Sequence, residues 1–134
     1  MKLRVEVVAL DCLMVRLFDE SAEANMPWML AASESLRSAF GEHLIDLVPS
    51  YTTLMVHYDL VALSPAQARE VIAEALIDLS PNARTRGSCH VLPVWYDLSV
   101  GPELSLLSQR SGLTVAEVIR RHSQREYQVF ALGF

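Results

Sequence analysis

The densest set of side chains able to do chemistry lies in RRHSQREY, residues 120–127. His122 follows Val118 and Ile119 by four and three positions, which places it on or beside the apolar face of a helix near its C-terminus. There the partial negative charge of the helix end favours a protonated imidazole. His122 and Glu126 are therefore candidate catalytic groups able to move a proton. Ser123, Tyr127 and Arg121 are candidate substrate or interface contacts, and Arg120 and Arg125 add positive field. A structural reading stands beside this one: a histidine that caps the last helical carbonyls, flanked by arginines on a solvated face.

A second constellation is SYTTLMVHYD, residues 50–59. Strand alternation sets Met55 and His57 on one face and Tyr58 on the other, which makes His57 and Tyr58 further substrate or interface candidates. The alternative is an ordinary exposed strand histidine. Elsewhere the chemistry thins out. The five glycines (41, 87, 101, 112, 133) form neither a P-loop nor a dinucleotide fingerprint, so no nucleotide site is expected in this chain. His43, His57, His90 and His122 show no ligand spacing, and Cys12 and Cys89 stand far apart, so no metal site is expected either. Cys89 and His90 are neighbours on an expected strand and should point to opposite faces. Both thiols, set in apolar runs, are expected to be buried and reduced.

The elements that must position these groups follow from periodicity. Alternation over 3–8 and again through Leu13, Val15 and Leu17 marks strands on either side of a turn at Asp11. From Pro27 the period becomes helical, with Trp28, Ala32, Leu36 and Phe40 on one stripe and Gly41 as its cap. Leu44 to Val48 and Leu54 to Tyr58 read as a strand pair. Ser64, Pro65 and Gln67 spell an N-cap, an N1 proline and a capping-box partner for a helix that runs to Leu79. SPNARTRGS, residues 80–88, is a surface loop. His90 to Tyr96 is expected as a strand with Pro93 at an edge or bulge, followed by a short helix from Gly101 to Gly112. A second short helix, capped by Thr114 and Glu117, runs to about His122, and a last strand starts at Tyr127. The expected fold is α+β: a ferredoxin-like βαββαβ core, helices layered on one face of an antiparallel or mixed sheet, with two extra short helices and a C-terminal strand.

Composition sets the outer bounds. In 134 residues, 51% are hydrophobic and 20% charged, enough apolar surface for one self-sufficient core. The net charge of −5 argues against a nucleic-acid partner, and no window approaches a membrane span; a cytoplasmic protein is expected. The charge is uneven: residues 1–78 carry twelve acids against five bases, a net −7, and residues 79–134 four acids against six bases, a net +2. An anion would be met in the second half. The chain closes on the apolar run Val129 to Phe134, unusual for a natural terminus.

Four ordered blocks carry a family resemblance. ALDCLMVRL looks like a GDxALLV strand segment, LVPSYTTLMVHYD is similar to VPxYxSLLVxYD, HVLPVWYDLSVGPEL to IPVxYGGxxGPDL, and GLTVAEVIRRHSQREYQVFALGF to GLSxEEVIxxHSxxEYxVxxLGF. Together they resemble the B subunits of bacterial 5-oxoprolinases, long labelled allophanate hydrolase subunit 1, a family that includes KipI-like kinase inhibitors. The resemblance implies that residues 1–134 are the N-terminal domain of a longer protein, without its cyclophilin-like C-terminal domain. It implies C-type and A-type partner subunits and a complex that couples ATP hydrolysis to opening 5-oxoproline to glutamate. ATP thus belongs to the complex, no metal is evident, and the isolated domain should be inactive. The alternative implied function is a regulatory module that binds and inhibits a sensor histidine kinase. The HSxxEY motif falls on His122, Ser123, Glu126 and Tyr127. Two departures stand out: Leu10 replaces the glycine of the GD pair, and Asp97 and Leu98 replace a Gly-Gly pair.

Overall fold

The computed structural model describes residues 3–82 and 88–129. The chain divides into two compact units, Met1–Arg86 with Val129–Phe134, and Gly87–Gln128.

The first unit opens with a hairpin of β1 (Arg4–Ala9) and β2 (Cys12–Arg16) around the Leu10–Asp11 turn. Helix α1 (Met26–Phe40) follows, with Pro27 in its first turn and Gly41 at its end in a positive-φ conformation (φ 55°) that a side chain would strain. A second hairpin, β3 (Leu44–Pro49) and β4 (Thr53–Tyr58), leads into α2 (Pro65–Leu76). The capping box of α2 is complete. Gln67 N–H donates to Ser64 Oγ at 3.3 Å, and Ser64 N–H donates to Gln67 Oε1 at 2.9 Å.

All strand pairs are antiparallel, in the order β1-β2-β4-β3. Strands β2 and β3 therefore run parallel with β4 between them, and α1 makes the crossover, a split βαβ unit. Helices α1 and α2 lie on one face of the sheet, as expected. Leu13, Val15, Leu17, Leu47, Leu54, Val56 and Tyr58 from the sheet side pack with Met29, Ala32, Leu36 and Phe40 of α1 and Ala68, Ile72 and Leu76 of α2. Two arginines tie the layers: Arg37 donates to the Leu47 carbonyl at 3.3 Å and Arg69 to the Val5 carbonyl at 3.0 Å. The expected βαββαβ order is corrected to ββαββα in this unit. The edge beside β2, which a strand after α2 would fill in a ferredoxin-like sheet, is held by β1.

The second unit contains α3 (Glu103–Ser111), ended by Gly112 in a left-handed conformation (φ 67°), and α4 (Val115–Ser123). The strand expected over His90 to Tyr96 does not form. Pro93 lacks a ladder donor, and Val91 and Trp95 are 91% and 76% exposed, so the alternating pattern has no partner to pair with among the described residues. Tyr127 to Val129 are not a strand either, and the rest of the expected C-terminal strand lies outside the described residues, as do residues 83–87 of the basic loop. Cys12 is half-buried but Cys89 is exposed, contrary to the expectation of two buried thiols. No described helix is long and apolar enough to cross a membrane.

Candidate functional site

Helix α4 is built to hold its C-terminal end in register. Thr114 Oγ1 accepts the Glu117 N–H at 3.2 Å, and the Glu117 carboxylate then grips Arg120 through two bonds, at 2.8 and 2.7 Å, and Arg121 through a third, at 2.8 Å. These two guanidinium groups hold the Glu117 carboxyl down at about 2. Arg120 also donates to Gln124 Oε1 at 2.9 Å, and the Gln124 N–H returns to the Arg120 carbonyl at 3.0 Å, which ends the helix.

Beyond Gln124 the chain doubles back. The Tyr127 ring comes to 5.4 Å from the His122 ring, tilted by 47°. His122 also meets Tyr96 edge-on, with ring centroids 5.7 Å apart at 80°, and the Tyr96 hydroxyl shares a hydrogen bond with His122 Nδ1. Tyr96 is aimed by the turn after it. Asp97 accepts from Ser99 N–H at 2.8 Å and from Ser99 Oγ at 2.6 Å, bonds that lower the Asp97 pKa, and the Gly101 N–H closes on the Asp97 carbonyl at 2.8 Å. Side-chain bracing thus makes the turn where the resembled pattern has two glycines.

His122 and Tyr127 border a groove of about 270 Å³ that is also lined by Leu107, Ser111, Leu113, Val118, Arg121 and Arg125. Arg125 sits 5.8 Å from the Tyr127 ring centroid. Apolar side chains, one tyrosine ring, two guanidinium groups and an imidazole suit a small planar ligand that carries an anionic group. A larger recess of about 590 Å³ beside α1 and α2 is lined by Glu34, Glu74 and Asp78. Its acidic lining would repel such a ligand, so the smaller groove is the candidate site.

Of the residues named from the sequence, His122, Arg121 and Tyr127 come together at the groove. Ser123 turns back to the Arg120 carbonyl at 3.4 Å, and Glu126 accepts from the Cys89 thiol at 3.8 Å instead of pairing with His122. His57 and Tyr58 belong to the first unit. Tyr58 is fully buried, its hydroxyl donating to the Leu10 carbonyl at 2.9 Å, so it is a core residue and not a surface contact. Sequence reasoning missed Tyr96; the position of its ring depends on the Asp97 turn, which periodicity does not report.

It also missed two partners of His57. His57 Nε2 lies 3.1 Å from Asp11 Oδ2, and Cys12 is the register partner of His57 across β2 and β4. Asp11, Cys12 and His57 each offer one donor atom, and the three lie within 4.8 Å of one another. The His57 hydrogen bond lowers the Asp11 pKa, whereas desolvation and the Asp11 carboxylate raise that of Cys12. The signal available was the Asp11 turn itself; the register between β2 and β4 was not readable.

Residues 3–134 match the family described as carboxyltransferase domain, subdomain C and D. The chain is 25% identical to the B subunit of 5-oxoprolinase from Bacillus subtilis (strain 168), over 98% of this chain and 59% of that protein. Two crystal forms of the protein TTHA0988 are similar in structure. One, in space group P212121, has a TM-score of 0.71 at 29% identity, covering 91% of this chain and 23% of its own; the other, in P6522, has 0.66 at 28%, covering 92% and 22%. The chain therefore spans about three fifths of the Bacillus relative and under a quarter of the solved one. With nearly its whole length matched, the chain belongs to the carboxyltransferase family of subdomains C and D.

Proposed function

We propose that this chain serves as the B-type component of an ATP-dependent 5-oxoprolinase, with the His122 groove as its substrate-facing site. The observation that carries the reading is the groove itself: His122, Tyr127, Arg121 and Arg125 line it together, and Tyr96 holds the His122 ring. 5-Oxoproline is a small, nearly planar cyclic amide with one carboxylate. The guanidinium groups complement the carboxylate, the Tyr127 ring complements the flat lactam, and His122, its Nδ1 engaged by Tyr96, has Nε2 left to exchange a proton with the amide. The 25% identity to a component of that enzyme over nearly the whole chain supports the same reading. In it, residues 1–134 form the N-terminal domain of the B-type component, and A-type and C-type partners complete the enzyme.

ATP fits the partners better than this chain. In this reading ATP belongs to the partner components, because the glycines of this chain spell neither a P-loop nor a dinucleotide fingerprint. The test is co-expression of the full chain with its A-type and C-type partners, followed by an assay of 5-oxoproline-dependent ATP hydrolysis. Activity is expected, and its absence under conditions where a reference complex works refutes the reading. Changing His122 to Ala is expected to lower turnover about a hundredfold, the low end of general acid–base contributions. A variant that keeps full activity would return His122 to a packing role.

A further inference from the structure

The first unit holds a cluster that the oxoprolinase reading does not use. Residues Leu13 and Val56 face each other in register and are buried against the helices, so the next pair along, Cys12 and His57, points to the opposite, open face of the sheet. Asp11 reaches the same place from the hairpin turn. Its main chain is pinned there, because the Tyr58 N–H donates to the Asp11 carbonyl at 3.0 Å and the Tyr58 hydroxyl to the preceding Leu10 carbonyl at 2.9 Å. The two flanking strands fix Cys12 and His57. A carboxylate, a thiol and an imidazole thus converge from a turn and two paired strands, all half-buried.

We propose that Asp11, Cys12 and His57 form a binding site for a divalent cation of the zinc class, with a fourth position open to water or an exogenous anion. Four considerations support it. The first is distance: donors of a tetrahedral zinc shell stand about 3.3 to 3.8 Å apart given bond lengths of about 2.0 to 2.3 Å, and here one pair is at 3.1 Å and all three fall within 4.8 Å. The second is ligand type, since a thiolate and an imidazole select zinc-like metals over calcium or magnesium, which take oxygen shells. The third is charge: one thiolate and one carboxylate neutralise a doubly charged ion. The fourth is support, because the Tyr58 bonds hold the turn in place before any ion arrives.

Binding is balanced in atoms. The Cys12 thiol loses its proton to solvent as the sulfur–metal bond forms. The Nε2–H of His57 that bonds Asp11 leaves to solvent while Nδ1 takes a proton in its place, so Nε2 is free to bond the metal and one proton is released in all. Sequence spacing gave no hint of this, because Asp11 and His57 are 46 residues apart and meet only through strand register.

Cobalt(II) provides the probe, added to the purified full chain in place of zinc. One equivalent should bind with a thiolate-to-cobalt charge-transfer absorption, displaced by zinc. Cys12→Ser should abolish that absorption and Cys89→Ser should keep it, and Asp11→Asn and His57→Ala should each raise the dissociation constant at least tenfold. A measurement on the unaltered chain guards against a variant that does not fold: zinc should slow alkylation of Cys12, located by mass spectrometry, and leave Cys89 unaffected. Absence of the charge-transfer band, its survival in Cys12→Ser, or equal alkylation of Cys12 with and without zinc would each overturn the proposal.

Discussion

Tyr58 shows how much a single polar atom can organise. The residue is fully buried in the core, its ring 6.4 Å from that of Phe40, and its hydroxyl reaches out to the carbonyl of Leu10 in the first hairpin turn. Burial raises the hydroxyl's pKa, so it remains a neutral donor. Tyr58→Phe keeps the ring and removes only that donor, leaving the Leu10 carbonyl without its side-chain partner. The expected cost is about 1 kcal/mol, read as a lower urea midpoint at unchanged slope. A variant as stable as the parent would show that water replaces the bond. Sequence alternation sets Tyr58 opposite His57 but cannot say which face is the core; that follows only once α1 and α2 are seen to cover the Leu13, Val15 and Val56 side.

At the scale of elements, the two capped helices differ in what holds them. Helix α2 is held by its capping box and by Ala68, Ile72 and Leu76 in the core. Ser64→Ala should cost about 1 kcal/mol and Ile72→Ala about 2 to 5 kcal/mol, both measurable by denaturant unfolding. Helix α4 relies on surface charge instead. Glu117 titrates at about 2 in the folded chain against 4.5 ordinarily, so the folded state binds its proton less readily than the unfolded chain does. Its contribution is in full force above about pH 4.5 and is lost as pH falls from there toward 2. An NMR titration of the Glu117 carboxyl should therefore find its midpoint near 2, moving upward as salt screens Arg120 and Arg121; a midpoint at 4.5 would mean that the arginines point elsewhere in solution. Both helices were legible from Ser64-Pro65-Gln67 and Thr114-Glu117, because caps are local. The strand expected over 90–96 was not, because a strand exists only when another supplies its hydrogen bonds, and alternation in HVLPVWY says nothing of a partner.

Over the whole molecule, the two units divide the work unequally. Every buried side chain among the described residues lies within residues 13–76, whereas each described residue from Ser88 to Gln128 is half-buried or exposed, with Val91, Leu92, Trp95 and Leu107 at least half open to solvent. A unit that hides so little apolar surface gains little from the hydrophobic effect, and local opening follows from that. Amide exchange should therefore split by unit. Amides of β2, β4, α1 and the core turns of α2 should exchange near the global unfolding limit, and those of α3 and α4 orders of magnitude faster. If the chain works within an oxoprolinase, adding the partner proteins should slow exchange across 88–128, because contact with a partner would remove that surface from water. Fast exchange there with partners bound would separate the His122 groove from the interface, and slow exchange in the isolated chain would mean that α3 and α4 hold themselves together without one.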